Sequence, residues 1–513
     1  MAAPTSIGRR WTTQWSSSRI FSVDLQSLLA AASIAALTVV GLLLRLRGLV
    51  VPWRNLWIDE TFSIWLADLP PLRAVSVIAQ IDQHPPLYAL LLHLWLLPRD
   101  DPWWARLSSV ILGTLAIPAA ALVGREVGGR RNALVAAALV TFSPILVRYA
   151  QEVRMYALVV LFVLLSTFFL LRGIERSGRR DWLGYGVTTL LLAYTHNIAL
   201  FLLPCQAAFA FLRTRGRPTI WRAYLATMAG VGMLWLPWAP ALVHQSAGVV
   251  ERFWISTPSA SYVLETILDF LNAFAPPNGS LLGVTVPLGV LGLGLLVPFV
   301  ALATLGFVAG WRRSSLLFLV SFLGPIAVDV LLSQWRPIFE ERVLVYTTVG
   351  ALMLVALGIT ARSPVITVLL LAPVIWLNVV SLNNYDANFQ KEQWETTAAF
   401  LAQHAQPGDL ILFNATWTQL PFDYYYRRIG GPPLVEHGLP VDLFDRRVLE
   451  PPMLPSDVPT VARLTAGRQH VWVLLSHDWY NDPQHLIRPA AQALFPRSAE
   501  YRFGNIVVIE YRR

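Results

Sequence analysis

Trp57-Ile58-Asp59-Glu60-Thr61 follows the first apolar run of the chain, Gln26 to Leu44, and is itself followed by Asp82-Gln83-His84-Pro85-Pro86-Leu87-Tyr88. Two adjacent carboxylates beside a stretch long enough to cross a bilayer are costly, because lipid or apolar protein that closes over them strips away their water. Such a pair needs cationic partners or a chemical task.

Composition gives the class of molecule. Of 513 residues, 55% are hydrophobic and only 14% charged, and the mean hydropathy is +0.52. These proportions exclude an ordinary water-soluble globule and give a polytopic α-helical membrane protein. The formal charge of +9 comes from arginines set in short clusters between apolar runs, not on one continuous face. That is the pattern of membrane topology, and no nucleic-acid partner is expected. Cys205 is the single cysteine, so there is neither an internal disulfide nor a thiolate metal site.

A spanning helix needs about 20 mostly apolar residues. On that basis about eleven crossings are expected, near Gln26 to Leu44, Ala105 to Val123, Asn132 to Val147, Met155 to Leu171, Leu183 to Thr195, Asn197 to Leu212, Trp221 to Ala241, Leu281 to Val308, Ser314 to Leu332, Arg342 to Ile359 and Pro364 to Leu382. The clusters Arg9/Arg10/Arg19, Arg125/Arg130/Arg131, Arg172/Arg176/Arg179/Arg180, Arg213/Arg215/Arg217/Arg222 and Arg312/Arg313 mark the cytoplasmic side. All five share that side only if one crossing separates Asp59 from Arg125. Pro85 to Leu97, short and opened by two prolines, therefore reads as a helix lying in the interface. The first apolar stretch runs into Arg45-Leu46-Arg47 rather than a small-residue cleavage site, so it reads as a retained helix. The expected organisation is a cytoplasmic tail 1–25, a transmembrane module 26–382 with external loops 45–104 and 243–280, and an external soluble α/β domain 383–513. In that domain Glu392 to His404 has helical periodicity, while Asp409 to Phe413, His470 to Ser476 and Asn505 to Tyr511 read as strands.

This registration brings the unusual polar residues to one face. Either Asp59 or Glu60 could be a general base, or the pair could simply favour the N-terminus of the helix that follows. Asp82 and His84 could hold a divalent cation or orient a phosphate, or cap the helix begun by Pro85-Pro86. In Arg148-Tyr149-Ala150-Gln151-Glu152-Val153-Arg154-Met155-Tyr156 two external arginines break the charge bias; pairing with Glu152 accounts for one of them, and an anion explains the other. His196 reads as a turn histidine or a site residue. Arg336 and Arg342 stand beside Glu340 and Glu341, where a guanidinium fork suits phosphate oxygens as well as mutual ion pairs. Together these groups make one aqueous cleft with carboxylates for base chemistry and arginines for a phosphate.

In its order of Trp-x-Asp-Glu, Asp-x-His-Pro-Pro-Leu-Tyr, Gln-Glu-x-Arg-Met-Tyr, Tyr-Thr-His, Leu236-Pro237-Trp238-Ala239-Pro240 and a late Glu-Arg turn, the chain resembles the bacterial branch of the GT-C glycosyltransferases. Relatives of that branch are the protein O-mannosyltransferases and the lipid A aminoarabinose transferases. The resemblance spans Arg45 to Leu382 and implies a GT-C-type fold and an inverting transfer of sugar from a polyprenyl-phosphate donor to a hydroxyl on a glycan, lipid or protein, at the external face of a bacterial plasma membrane. It implies Asp59 as catalytic base with Glu60 as companion. Asp82 and His84 become candidates for a second carboxylate, an acceptor contact or a cation site. Arg342, Arg336, Arg154, His196 and Tyr156 fall on the donor-phosphate side. The late turn departs from the family in reading Glu341-Arg342-Val343, without a tyrosine after the arginine. A flippase or other transporter of lipid-linked sugars is the competing reading; against it, the polar groups share one face and the chain has no repeated halves.

Overall fold

The computed structural model describes residues 25–251, 255–274, 279–281, 284–286, 300–308, 314–443 and 452–513. Residues 1–24 of the expected tail and most of the expected crossing Leu281 to Val308 lie outside the described residues. Among the described residues seven helices are long and apolar enough to cross a membrane: Leu25–Leu46, Pro102–Phe142, Tyr156–Arg176, Pro218–Ala247, Ser315–Leu332, Glu341–Thr360 and Pro364–Asn388.

The difference from eleven has physical reasons. Helix α1 (Leu25–Leu46) precedes three short helices, α2 (Ile58–Asp68), α3 (Pro71–Ile81) and α4 (Leu87–Leu96), and then α5 (Pro102–Phe142). At 41 residues α5 would be about 60 Å long if straight, twice the hydrocarbon thickness of about 30 Å. It is broken at Gly129, whose φ of 73° an L side chain rarely adopts. The two halves fold back so closely that Asn132 donates from Nδ2 to the Gly124 carbonyl at 3.1 Å. Two expected crossings thus share one element. After α6 (Pro144–Tyr149) and the long α7 (Tyr156–Arg176), α8 (Arg179–Ala193) has 15 residues. It and Ile198–Thr214 occupy the next two expected crossings but are shorter than a full span. Short helices of this kind are tolerated where neighbouring helices cover them. The helix 300–308 packs on Thr348–Thr360 through Gly306 and Gly358; a Cβ on either would stand 1.9 Å from a carbonyl oxygen of the other helix. Small residues at such crossings are what helix packing in lipid requires.

The segment Pro85 to Leu97 forms α4, ten residues packed on α2. At about 15 Å it is half a bilayer long, in keeping with an interfacial helix.

A short hairpin, β1 (Gly279–Leu281) with β2 (Val284–Val286), precedes the C-terminal sheet. That sheet comprises β3 (Leu410–Asn414), β4 (Val435–Gly438), β5 (His470–Leu475), β6 (Arg497–Phe503) and β7 (Ile506–Arg512), in the order β4-β3-β5-β7-β6. The strands β4, β3 and β5 run parallel, and β7 and β6 close the sheet antiparallel. All five residues of β3 are buried, as expected of a central strand covered on both faces. The three strands expected from sequence fall within one residue of β3, β5 and β7, and the expected helix is Trp394–His404. The sequence reading missed β6, whose residues Arg497 to Glu500 are exposed. A polar edge strand lacks the apolar alternation that marks a half-buried one.

The chain between α1 and α2 fastens these parts together. Arg106, in the second turn of α5, donates to the carbonyls of Leu49 (2.7 Å), Arg54 (2.8 Å) and Asn55 (3.1 Å). Its guanidinium also grips both oxygens of Glu60, at 2.8 and 2.7 Å, with neither side chain exposed beyond 2%. The C-terminal domain docks on the same loop. Tyr425 accepts the Leu56 N–H on its hydroxyl oxygen at 2.7 Å, and Asn55 exchanges hydrogen bonds with Glu395. Arg106→Met should therefore strand a buried carboxylate and lower stability by about 3–5 kcal/mol; an unchanged thermal unfolding midpoint in detergent would contradict this.

Candidate active site

Asp59 and Glu60 occupy the first turn of α2, where the helix dipole favours carboxylates. Successive helical residues point about 100° apart, so the two acids face different surroundings. Glu60 points inward. Besides Arg106 it accepts from Lys391 Nζ at 3.0 Å and from the Val153 N–H at 3.0 Å. Burial pushes its carboxyl up, but Arg106, Lys391 and these hydrogen bonds prevail and hold it down to about 2. Both Glu60 oxygens are thus engaged, and Glu60 does not line the cavity that Asp59 faces.

Asp59 faces a cavity of about 170 Å³ walled also by Asp82, His84, Arg154, Tyr156, His196, Arg342 and Trp417. Its Oδ2 lies 2.9 Å from Arg342 Nη1 and 4.0 Å from Arg154 Nη2. Among the described residues no donor reaches Oδ1. Partial burial raises the proton affinity of Asp59. Arg342, Arg154, His84 and Lys391 outweigh that effect, so its carboxyl lies below the usual range and is ionised at neutral pH. Arg154 is held in place by donating to Ser63 Oγ at 3.2 Å, and its guanidinium sits 5.9 Å from the Tyr156 ring centroid.

The imidazoles form the opposite wall. His84 Nδ1 is 3.0 Å from Asp82 Oδ1, and its ring meets His196 edge-on with centroids 4.9 Å apart. His196 Nδ1 accepts the Ile198 N–H at 3.1 Å, which places the proton of the neutral ring on Nε2. Burial, reinforced by His84 and Arg154, pushes this imidazole well below its ordinary pKa. Nε2 is buried and has no partner among the described residues. His196 is thus a neutral N–H donor in the cavity wall.

The structure does not bring every expected residue here. Arg336 is exposed, reaches the Ser246 carbonyl at 3.5 Å and does not line the cavity. The irregular segment 337–340 separates it from Glu341–Leu344, the helix that carries Arg342, so the two arginines of one motif diverge. Arg148 is committed to Glu341 at 3.0 Å, and its guanidinium lies over the rings of Tyr149, Phe274 and Phe389. Glu152 pairs with Lys391 at 3.0 Å rather than with either neighbouring arginine. Sequence reasoning missed Arg106, Lys391 and Trp417. An arginine inside an apolar run was itself a signal, because a charge there needs a partner. The other two come from segments beyond the last helix, and no local pattern tied them to Asp59. Among the described residues no three His, Cys, Asp or Glu side chains are grouped to hold a metal ion.

A family model described as dolichyl-phosphate-mannose-protein mannosyltransferase matches residues 83–244, which include His84, Arg154, Tyr156 and His196. No curated protein sequence matches the chain. Among solved structures, ArnT from Cupriavidus metallidurans bound to undecaprenyl phosphate is similar with a TM-score of 0.58 at 14% identity, covering 94% of this chain and 98% of that one. The apo oligosaccharyltransferase of Archaeoglobus fulgidus is similar with a TM-score of 0.54 at 13% identity, covering 94% of this chain and 75% of that one. Identities this low speak for the fold. The chain has the fold found in ArnT, a GT-C-type fold, and its residues 83–244 match the mannosyltransferase family model.

Proposed function

We propose that the chain is a membrane glycosyltransferase that moves a sugar from a polyprenyl-phosphate donor to a hydroxyl, with inversion, at the face carrying the C-terminal domain. The observation that carries this reading is one cavity in which an ionised carboxylate, Asp59, stands against two guanidinium groups, Arg342 and Arg154. The printed names of the similar proteins support the donor class: ArnT was solved with undecaprenyl phosphate, and the matched family is named for dolichyl-phosphate mannose.

In this reading the isoprenoid stays in lipid and the phosphate enters between Arg342, Arg154 and the His196 Nε2–H. Asp59 Oδ1 takes the proton of the acceptor hydroxyl as its oxygen attacks the anomeric carbon. The bond from that carbon to the phosphate oxygen breaks, and the polyprenyl phosphate leaves as an anion held by the same cations. One displacement without a covalent enzyme intermediate inverts the anomeric centre. The two arginines also tune the base. A phosphate that neutralises them removes what depresses the Asp59 carboxyl, so donor binding raises its proton affinity when a base is needed.

The face of the reaction follows from charge. Arg131 reaches the Arg362 carbonyl at 2.6 Å, and Arg176 pairs with Glu126 and Arg213 with Glu175 at 2.7 and 2.9 Å. These arginines gather at the end of the bundle away from Asp59. With the positive-inside bias, this supports a cytoplasmic N-terminus and an external C-terminal domain, and the likeness to ArnT is in keeping with a bacterial inner membrane.

Asp59→Asn should reach the membrane at the wild-type level and lose about 10²–10⁴-fold in transfer, measured with radiolabelled polyprenyl-phosphate sugar; retained transfer would remove Asp59 from the base role. Arg342→Gln takes away the nearest cation, so the Asp59 carboxyl should titrate at higher pH. Its activity should then be lost at a higher pH than in the wild type as the medium is acidified, together with a weaker apparent donor affinity. An acid limb that stays in place or moves down would contradict the pairing.

A further inference from the structure

A second cavity, of about 400 Å³, lies on the other side of Trp57 from Asp59, within the range of about 300–1,000 Å³ that accommodates small ligands. Trp57 caps α2 two residues before Asp59, and the Arg342 guanidinium of the first cavity stands 5.2 Å from its ring centroid. Arg342 walls the first cavity and Trp57 the second, so the two lie on either side of the start of α2. The second is lined by Glu152 of the transmembrane module, by Lys391 of the segment that leads into the C-terminal domain, and by His477 and Asn505 of that domain.

Two buried polar atoms at this cavity have no partner among the described residues. Glu152 gives Oε1 to Lys391 at 3.0 Å, but its Oε2 is unpaired although the side chain is only 2% exposed. The indole Nε1 of Trp57 is likewise unpaired. One is an acceptor and the other a donor, and leaving such groups buried without a hydrogen bond costs about 1–3 kcal/mol each. A hydroxyl, which both donates and accepts, answers such a pair.

The fold marks the same place independently. From β3 the chain moves through Gln419–Ile429 to β4 on one side, whereas from β5 it moves toward β7 and β6 on the other. In parallel α/β sheets ligands bind at the carboxyl ends of strands where the direction reverses. Trp417, just beyond β3, walls the first cavity, and His477, just beyond β5, walls the second. His477 also holds a left-handed backbone at φ 62°, fastened by Ser476 Oγ at 3.1 Å and Glu392 Oε1 at 3.3 Å.

We infer that this second cavity binds the acceptor, and that the acceptor is a neutral glycan whose attacking hydroxyl passes Trp57 to reach Asp59. The inference rests on the glycosyltransferase reading above. The charged groups of the wall, Arg148, Lys391, Glu152 and Glu392, stand two against two and are paired, Arg148 with Glu341, Lys391 with Glu152 and Glu392 with His477, which leaves its uncharged groups to select the class. The side-chain amides of Gln390, Gln393 and Asn505 suit paired hydroxyls, and the aromatic faces of Trp57 and Phe389 suit the C–H face of a sugar ring. A lipid acceptor would need a longer apolar path than these two rings give.

The test uses cells that lack the chain, complemented with the wild type, Asn505→Trp, Asn505→Ala or Glu152→Gln, each compared at equal amounts in the membrane. Envelope glycan, lipid and protein fractions are then analysed by mass spectrometry. The sugar restored by the wild type should appear in the glycan fraction. Asn505→Trp, which fills the cavity, and Glu152→Gln should each reduce it at least tenfold, with a smaller loss for Asn505→Ala. Restoration in the lipid or protein fraction, or wild-type levels with Asn505→Trp, would overturn the acceptor assignment while leaving the transferase reading intact. No sugar depending on the chain in any fraction would instead overturn the transferase reading itself.

Discussion

The buried ion pair between Glu60 and Arg106 is the constraint on which the arrangement of this protein depends. Two opposed charges without water bring little net stability over an apolar contact of equal volume, but removing one partner is severe. What the pair supplies is orientation. Arg106 is anchored in the long helix α5 and fixes α2 by both oxygens of Glu60, while its remaining N–H groups collect the carbonyls of the loop before α2. Lys391 extends the same lock to the segment that leads into the C-terminal domain.

With Glu60 turned inward, the helical rotation of one residue leaves Asp59 no choice but the cavity. The two adjacent acids are thus ionised for different reasons and to different ends. Glu60 is neutralised in a closed network. Asp59 is balanced by cations that a phosphate can claim, so its charge compensation is exchangeable. In the proposed function, a carboxylate whose counter-ions also hold the donor would couple donor binding to activation of the base.

The C-terminal domain is part of the same construction. Its parallel strands end toward the membrane module, and the residues just past β3 and β5 reach the two cavities on either side of Trp57. Tyr425 and Glu395 tie the domain to the loop that Arg106 organises, so the domain and α2 share one foundation.

The sequence by itself determined the membrane class, most spanning helices, the short helix at Leu87 and three strands of the terminal sheet. These follow from local hydropathy and periodicity, which neighbouring residues carry. It also marked Asp59, His84, Arg154, His196 and Arg342, because charges in costly places stand out without a structure. Only the tertiary structure decided which acid faces the cavity, that Arg336 lies outside it, and that Arg148 is committed to Glu341. It alone brought Lys391 and Trp417 to Asp59 across more than three hundred residues. Side-chain direction depends on helix rotation, and ion-pair choice depends on three-dimensional distance; neither is written in the spacing of residues along the chain.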